Sequence, residues 1–340
     1  KEFKFMSNKT KIYFLENSFN YNANDLNDDK IAGSEKTLIN ISNELAKDDN
    51  LTIKVFNNTT TTSIINNVYW SNINNIDITD KPDFVIAMSD VNLFIKMNCH
   101  NNYLWSHSVQ SIEKFIRKKQ LVSFLRYKPI MILEGDYHFK TRNLITSLFG
   151  KKILRIAPDY DFINTNIDIK NIPPPNAIFT TKSDRNLNFL ITAWHKIKSQ
   201  LKNSKLYINP PHVLNDLEVK NDVILRIKGD KDQLIKDLLN SRLFITPGHK
   251  TEVFCLAAEE ARELCIPIVT MGYGALYERV EHGKTGYIAQ NNDEFVAYSV
   301  QVLNDDQTYL KFRKNLLKQK NIRNYSHVKK DLINILNNND

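Results

Sequence analysis

The sequence has few of the features that mark metal-binding, disulfide-rich or membrane-spanning proteins. Its 340 residues include three cysteines, Cys99, Cys255 and Cys265, whose spacing fits neither a metal site nor a disulfide framework. We therefore expect a reducing compartment. No apolar stretch approaches the roughly 20 residues that a membrane-spanning helix needs, and residues 1–10 are charged and polar, without the apolar core of a signal peptide. These absences predict a soluble, cytoplasmic protein.

Positive charge is concentrated in one part of the chain. Lys and Arg exceed Asp and Glu by eight, and residues 109–155, with 11 basic and three acidic side chains, carry this whole surplus. Within them, Ser111–Lys128 interleaves apolar and basic residues, a composition typical of an interfacial helix that anionic lipid attracts. A core-packed helix with a solvated basic face has the same composition. Nucleic acid is not an expected partner, because no recognised motif accompanies the charge.

Short apolar runs of strand length recur along the chain, separated by helical patterns and polar loops. This predicts an α/β fold with two Rossmann-like domains, residues 1–165 and 176–322, followed by a helical segment, 323–340. Residues 57–75, rich in Asn and Thr, are predicted to be a loop, and the segment around Pro173-Pro174-Pro175 a stiff linker. The predicted strands are Lys11–Leu15, Leu51–Phe56, Phe84–Met88, Tyr103–Ser106, Ile130–Leu133, Ile153–Ile156, Ala177–Thr180, Lys205–Ile208, Val223–Ile227 and Leu243–Thr246.

The segment from Thr246 to Ala289 carries the strongest functional pattern. A strand, a turn, a helix, a second strand and a loop containing glycine follow one another, and the ends of such strands face a ligand cleft in α/β proteins. Glu252 stands just before the helix and Glu260 lies on it, eight residues later. A charge on a packed helix face is costly unless it is paired. Glu260 is therefore either a partly exposed charge or an acceptor for the vicinal hydroxyls of a ribose.

Further residues extend the pattern: Phe254-Cys255-Leu256, Cys265-Ile266-Pro267-Ile268, Gly274-Ala275-Leu276-Tyr277-Glu278 and Gly283-Lys284-Thr285-Gly286. With the two glutamates, they resemble the signature of glycosyltransferase family 4, the retaining, nucleotide-sugar-dependent enzymes. Cysteine replaces a family glycine at positions 255 and 265, and alanine replaces one at 275. The resemblance implies the GT-B architecture, in which two Rossmann-like domains face each other across a cleft and the C-terminal helix crosses back to the first domain.

The resemblance also implies roles for individual residues. Glu252 would act on the donor sugar, and Glu260 would bind the ribose. Arg185, with Lys182 as the second candidate, would clamp the diphosphate, although exposed loop charges are the ordinary interpretation of both. His107, at the end of a first-domain strand, is either a structural residue or a catalytic contact to the donor sugar. The remaining donor-binding candidates are Phe254, Cys255, Leu256, Gly274, Ala275, Leu276 and Gly33, the last in an Ala32-Gly33-Ser34-Glu35 turn whose amides can meet a phosphate.

The implied reaction is retaining transfer from a UDP-, GDP- or ADP-sugar to a glycan or lipid-linked acceptor, in bacterial surface polysaccharide or lipopolysaccharide synthesis. No cofactor or metal is expected, and Asp159-Tyr160-Asp161 is interpreted as a turn although it mimics a metal-binding Asp-x-Asp motif. With the family considered, residues 109–155 favour peripheral attachment to the inner face of the cytoplasmic membrane. The alternatives are a non-catalytic sugar-nucleotide binding protein and another GT-B enzyme, such as a nucleotide-sugar epimerase.

Overall fold

The computed structural model describes residues 9–28, 30–141, 144–147, 149–210, 223–227 and 229–338. Its strands are β1 (Thr10–Leu15), β2 (Leu51–Asn57), β3 (Ser63–Ile65), β4 (Val68–Asn72), β5 (Phe84–Met88), β6 (Asn102–Trp105), β7 (Ile130–Leu133), β8 (Lys151–Ile153), β9 (Ala177–Phe179), β10 (Leu206–Ile208), β11 (Val223–Leu225), β12 (Leu243–Ile245), β13 (Ile268–Thr270) and β14 (Gly286–Ile288). Its α-helices are α1 (Gly33–Leu45), α2 (Ile112–Arg117), α3 (Leu121–Tyr127), α4 (Asp136–Lys140), α5 (Leu144–Ser147), α6 (Tyr160–Asn164), α7 (Leu187–Gln200), α8 (Lys231–Leu239), α9 (Leu256–Glu263), α10 (Asn292–Asn304), α11 (Asp306–Leu317) and α12 (Tyr325–Asn337).

The chain divides into two compact units, which we call unit 1 (residues 1–156 and 325–340) and unit 2 (residues 157–324). In the described part of unit 1, one sheet has the strand order β3-β4-β2-β1-β5-β6-β7-β8. Every neighbouring pair is parallel except β3 and β4. The central strand β1 is fully buried from Ile12 to Leu15, as expected of a strand inside a parallel sheet that is covered on both faces.

The predicted loop over residues 57–75 is wrong. Val68 to Asn72 form β4, which pairs in parallel with β2, and β3 adds an antiparallel edge. Trp70 is fully buried in this addition and packs edge-on against Tyr21. Val68 and Trp70 point to the same buried face of the strand, and their burial stabilises β4 even though the flanking residues are polar.

Helix α12 belongs to unit 1, although it follows unit 2 in the chain. It packs against α1 and buries Tyr325, Val328, Leu332, Ile335 and Leu336, which recur at the three- and four-residue spacing of one helix face. The buried Tyr103 hydroxyl of β6 lies 3.4 Å from the Leu336 carbonyl oxygen. The first and last long helices thus share one core.

Unit 2 has a second parallel sheet with the order β11-β10-β9-β12-β13-β14 among its described residues. One core cluster, which includes Trp194, Phe295 and Phe312, packs α7, α10 and α11 against this sheet. The proline run lies inside unit 2 rather than between units, because the division falls after Ile156. The Arg242 guanidinium, which is 8% exposed, donates from Nη2 to the Pro173 carbonyl oxygen at 3.1 Å.

The basic stretch Ser111–Lys128 is two helices, α2 and α3, rather than the single helix predicted. They are separated by Lys118 to Gln120, where Lys119 has a left-handed backbone with φ of +53°. Phe115 and Phe124 are buried and pack on each other with ring centroids 5.0 Å apart. Arg142, Asn143 and Leu148 of the basic segment lie outside the described residues. No helix in the described ranges is long and apolar enough to span a bilayer.

Candidate active site

The loop that carries Glu252 is joined to the glycine loop after β13. Gly248 and Tyr273 form a parallel bridge between the two loops, and the Ala275 amide donates to the Glu252 carbonyl oxygen at 2.8 Å. In this structure the Ala275 amide is therefore already paired within the protein. Glu252 is held by its backbone at the carboxyl edge of the unit 2 sheet, where parallel α/β sheets bind ligands.

This junction requires glycine at position 274. Gly274 has φ of +68°, and a Cβ there would lie 2.4 Å from the His249 carbonyl oxygen and 2.6 Å from that of Glu252. Both distances are far below van der Waals contact, and both obstacles are backbone. The loop therefore combines a conformation that side chains disfavour with a close approach that they would prevent.

Arg185 lies beside Glu252. Its Nε donates to Glu252 Oε2 at 3.0 Å, and its Nη1 contacts Asp184 at the same distance. The next residue, Asn186, adopts φ of +62° and donates from Nδ2 to the Gly248 carbonyl oxygen at 2.5 Å. The start of α7 is thus tied to the Glu252 loop. Lys182 is exposed in the same turn, and its carbonyl accepts the Arg185 amide.

Arg279 stabilises the loop that precedes α9, through contacts that the sequence pattern did not reveal. The Arg279 guanidinium lies 4.1 Å from the centroid of the Phe254 ring, donates from Nε to the Phe254 carbonyl oxygen at 2.8 Å, and pairs with Glu259 at 2.8 Å. These contacts tie Phe254, which lies just before the N-cap residue Cys255, to the first turn of α9. The available signal was the position of Arg279, directly after the Gly274–Glu278 motif.

Glu260 is 7% exposed on α9. This burial excludes its interpretation as a partly exposed charge on the helix surface. Leu256 begins the same helix, and the Cys255 side chain makes no cap hydrogen bond to it. The predicted donor-binding residues of this segment lie on α9 or in the short loop before it. They are Glu252, residues 254–256 and Glu260.

Cys255 and Cys265, which replace family glycines, keep the backbone of glycine. Their φ values are +63° and +56°, so each bears the cost of a left-handed L-residue, about 1 kcal/mol. Both are buried. Burial raises the pKa of the Cys255 thiol well above its usual value and that of the Cys265 thiol to about 11. Neutral thiols of this kind are poor nucleophiles.

Unit 1 contains a pocket of about 340 Å³. Glu16, Ser89 and His107 line it from the carboxyl ends of β1, β5 and β6. Gly33 lies close by, because it begins α1 directly before the pocket residue Ser34. The N-cap residue Ala32 makes no side-chain cap bond to the first-turn amides of α1. The remaining lining residues are Asn17, Ser18, Tyr21, Glu35, Met88, Asp90 and Lys118.

His107 is held by a buried glutamate. Its Nδ1 lies 2.6 Å from Glu134 Oε1, and among the described residues its buried Nε2 has no hydrogen-bond partner. The Glu134 amide donates to His138 Nδ1 at 3.2 Å, and His138 Nε2 contacts the Ser108 carbonyl oxygen at 3.1 Å. Burial lowers the pKa of His138 to about 4, so its ring is neutral at pH 7. Its two hydrogen bonds connect the Glu134 backbone to that of Ser108. Glu134, at the end of β7, was not predicted.

The Asp159-Tyr160-Asp161 sequence has a lysine between its carboxylates. Lys231 Nζ lies 3.0 Å from Asp159 and 2.7 Å from Asp161. The ammonium group occupies the position between the two carboxylates that a cation would take. Across the described ranges, no group of three or more His, Cys, Asp or Glu side chains is arranged to hold a metal ion.

Part of the chain that contains this site matches a known protein family. Residues 180–319, which include Arg185, Glu252 and Glu260, match the family of glycosyl transferases group 1. A comparison with curated proteins finds no significant match.

Solved structures share the fold over most of the chain. WaaG, a glycosyltransferase involved in lipopolysaccharide biosynthesis, is 12% identical with a TM-score of 0.68, over 96% of this chain and 100% of WaaG. HepE from Anabaena, in complex with UDP and glucose, is 15% identical with a TM-score of 0.71, over 97% and 100%. TarM from S. aureus is 16% identical with a TM-score of 0.59, over 76% of this chain but 56% of TarM. These neighbours confirm the predicted GT-B fold class.

Proposed function

We propose that the protein is a retaining, metal-independent glycosyltransferase that moves a sugar from a nucleoside diphosphate to a glycan or lipid-linked acceptor. The observation that carries the proposal is the contact of Arg185 with Glu252 beside the start of α9, inside the segment that matches the family. It joins a cation suited to a diphosphate with a carboxylate suited to the sugar. The pathway proposed is synthesis of a bacterial surface polysaccharide or lipopolysaccharide, supported by the similarity to WaaG.

The leaving group of such a reaction is a nucleoside diphosphate, whose growing negative charge must be stabilised as the glycosidic bond breaks. Arg185 and Lys182 supply positive charge, and the amino end of α9 supplies its dipole. Glu252 holds the sugar ring, and Glu260 accepts the ribose hydroxyls. Attack occurs on the face that the diphosphate leaves, which preserves the configuration, and the phosphate assists deprotonation of the acceptor.

A uridine donor is the first choice, because structures of HepE contain UDP, UDP and glucose, and UDP-glucose. The decisive experiment is a donor-hydrolysis and transfer screen across UDP-, GDP- and ADP-sugars, with and without EDTA. We expect turnover with one nucleotide, unaffected by EDTA, and a product whose anomeric configuration, read by NMR, matches that of the donor.

The matched variants are Glu252→Ala in the site and Glu281→Ala, whose side chain is 51% exposed in the same unit. Glu252→Ala should lower turnover about 100-fold or more, as loss of a group that acts in the transition state does, while nucleotide binding persists. Glu281→Ala should match the wild type. Nucleotide binding by the wild type without any hydrolysis or transfer would instead support a sugar-nucleotide binding protein.

We also propose that α2 and α3 attach the protein to an anionic membrane surface. Ile116, Val122 and Leu125 are 59%, 77% and 49% exposed, and four basic residues, Arg117, Lys118, Lys119 and Arg126, accompany them in sequence. Exposed apolar side chains next to basic ones suit the headgroup region of a bilayer. A lipid-linked acceptor would be found at the same surface.

Sedimentation with lipid vesicles tests this attachment. The wild type should bind phosphatidylglycerol vesicles and not phosphatidylcholine vesicles, and binding should weaken in high salt. Val122→Glu should reduce binding several-fold. The control is Ile64→Glu, which changes another exposed apolar residue of unit 1, 73% exposed on β3. Equal losses in the two variants would contradict attachment through α2 and α3.

A further inference from the structure

Two buried carboxylates in the unit 1 pocket have no counter-charge. Glu16 and Glu35 are each 8% exposed, and within the described ranges neither forms an ion pair. Glu16 Oε1 accepts the Ser18 amide at 2.6 Å, and Glu35 Oε2 accepts the Ser34 hydroxyl at 2.9 Å. Both partners are neutral, so the charges of the two carboxylates are not balanced. A buried charge of this kind is costly unless it is paired.

Two polar atoms of the same pocket are buried without a well-formed hydrogen bond. Among the described residues, these are Glu16 Oε2 and the hydroxyl of Tyr21, a residue that is 1% exposed. The Tyr21 hydroxyl does interact with Glu16, but it is neutral and supplies no counter-charge. Burial raises the pKa of Glu16, and the charge of Glu35 acts in the same direction. The pKa of Tyr21 is raised by burial and then by the charges of both glutamates. The three groups therefore share one small volume, and buried polar atoms in proteins normally have partners.

Among the described residues, the other charged groups of the pocket form no ion pair with Glu16 or Glu35. Asp90 is satisfied by amide donors from Asn17 and Gln120, at 2.9 and 2.8 Å. His107 is bound through Nδ1 to Glu134, and Lys118 is exposed. The pocket thus keeps an anionic end, although it lies beside the most basic segment of the chain.

Hydrogen bonds of Ser89 fix one wall of the pocket. Ser89 adopts a left-handed backbone with φ of +57°, a strained conformation that clusters at functional sites. Its amide donates to the Trp105 carbonyl oxygen at 2.8 Å, and its hydroxyl accepts the His107 amide at 3.2 Å. These bonds fix the ends of β5 and β6 against each other, which prearranges the pocket for a ligand.

We propose that this pocket binds the acceptor of the reaction, and that the part it binds is an amino sugar with a free amino group. An ammonium group offers three hydrogen-bond donors and a positive charge, which would satisfy Glu16 Oε2 and compensate one of the two negative charges. A neutral hydroxyl would donate a hydrogen bond to Glu16 Oε2 but would leave the negative charge of the glutamates uncompensated. The volume of about 340 Å³ lies within the range of small-molecule sites. The assignment to an acceptor rests on the proposed function.

The experiment compares three probes on the full chain: D-glucosamine, N-acetyl-D-glucosamine and D-glucose. Binding is followed by ligand-observed NMR and by the tryptophan fluorescence of the protein, to which Trp105 contributes with its ring 5.4 Å from that of His107. The wild type should bind glucosamine about tenfold more tightly than either neutral probe, because hydrogen bonds to charged groups are the stronger ones. Glu16→Gln and Glu35→Gln should each abolish this preference. UDP binding is measured for every protein.

The control variant is Glu44→Gln, which removes an equally buried glutamate of α1 that pairs with Lys47 and does not line the pocket; it should keep the preference. Equal affinity of the wild type for the three probes, or no binding of any at millimolar concentration, overturns the inference, and so does a preference that survives in both pocket variants. If a variant does not fold, the wild-type comparison alone decides. UDP binding without glucosamine preference rejects this inference alone, whereas glucosamine preference without UDP binding rejects the proposed function.

Discussion

At the scale of single residues, Gly274 and Gly283 form a natural pair for measuring what the Glu252 loop requires. Both have left-handed φ values, +68° and +73°, but a Cβ at Gly283 would meet nothing within 4 Å. Gly283→Ala should therefore lower the free energy of unfolding only by the cost of placing a side chain on a left-handed backbone, about 1 kcal/mol. Gly274→Ala adds a clash with two carbonyl oxygens and should cost roughly 3 kcal/mol. Urea unfolding measures both losses.

The same pair separates stability from function. Gly274→Ala must displace the Glu252 backbone, so donor turnover should fall at temperatures where the variant is still folded. Gly283→Ala should retain most turnover. Comparable activity losses in the two variants would mean that the geometry of the Glu252 loop does not control the reaction.

Residues that belong to a short contiguous motif can be proposed from the sequence, whereas the residues that support them cannot. Glu252 and Glu260 share one segment of sequence, and the family resemblance proposes Arg185 in a loop that directly precedes a helix. Arg279 and Glu134 act through contacts 25 residues away from Phe254 and 27 residues away from His107. No local spacing reports such contacts, because they depend on which strands become neighbours in the sheet.

At the scale of secondary-structure elements, a charged cluster around Asp80 joins β1 and β2 to the segment before β5. Lys11 and Lys54 contact Asp80 at 2.8 and 2.6 Å, and the Tyr13 hydroxyl also donates to it. Partial burial opposes ionisation of Asp80, but these hydrogen bonds outweigh it and depress its pKa. The cluster therefore stabilises the sheet only while Asp80 is ionised.

Asp80→Asn should lower the free energy of unfolding at pH 7 by about 2 kcal/mol, since hydrogen bonds to a charged group are lost. A depressed folded-state pKa gives stability that is complete above the unfolded value of about 4 and is lost progressively as the pH falls from there through the folded-state pKa. The difference between wild type and variant should therefore be constant near neutral pH and shrink steadily as the pH is lowered below about 4 in urea titrations. Asp49→Asn, at an exposed carboxylate just before β2, should show no such difference at any pH.

Elements with apolar cores were predictable, and elements with mixed composition were not. The strands β1, β5 and β7 appear where continuous apolar runs predicted them. The β3–β4 edge was missed because its flanks are rich in Asn and Thr, and sequence composition does not reveal that Trp70 meets Tyr21. The composition of the basic stretch predicts one helix, because the break at Lys119 depends on a backbone conformation that lysine rarely adopts.

At the scale of the whole molecule, α12 makes the stability of unit 1 depend on residues that follow unit 2 in the chain. Leu332 is fully buried on its inner face. Leu332→Ala should cost about 3 kcal/mol, the usual cost of a core truncation. Hydrogen exchange should show lost protection in residues 9–141 and unchanged protection in unit 2. Leu317→Ala, 43% exposed at the end of α11, should have little effect on either unit, and equal loss of protection in both units would contradict this assignment.

The overall architecture could be predicted because the same alternation of strands and helices occurs twice along the chain. The boundary between the two units is harder to predict from the sequence. Three consecutive prolines suggested a linker, yet they lie inside unit 2, where Arg242 binds Pro173. Whether a stiff segment separates two cores or forms part of one depends on contacts with residues far away in sequence.

The return of α12 to unit 1 has a consequence for biosynthesis. A ribosome releases residues 157–324 before it releases Tyr325–Asn337, so every residue of unit 2 emerges before the helix that covers α1. The surface of α1 that α12 contacts must wait for its partner until residues 325–337 have been translated. Domains generally fold as they emerge, amino end first. Here unit 1 can be completed only after all of unit 2 has emerged.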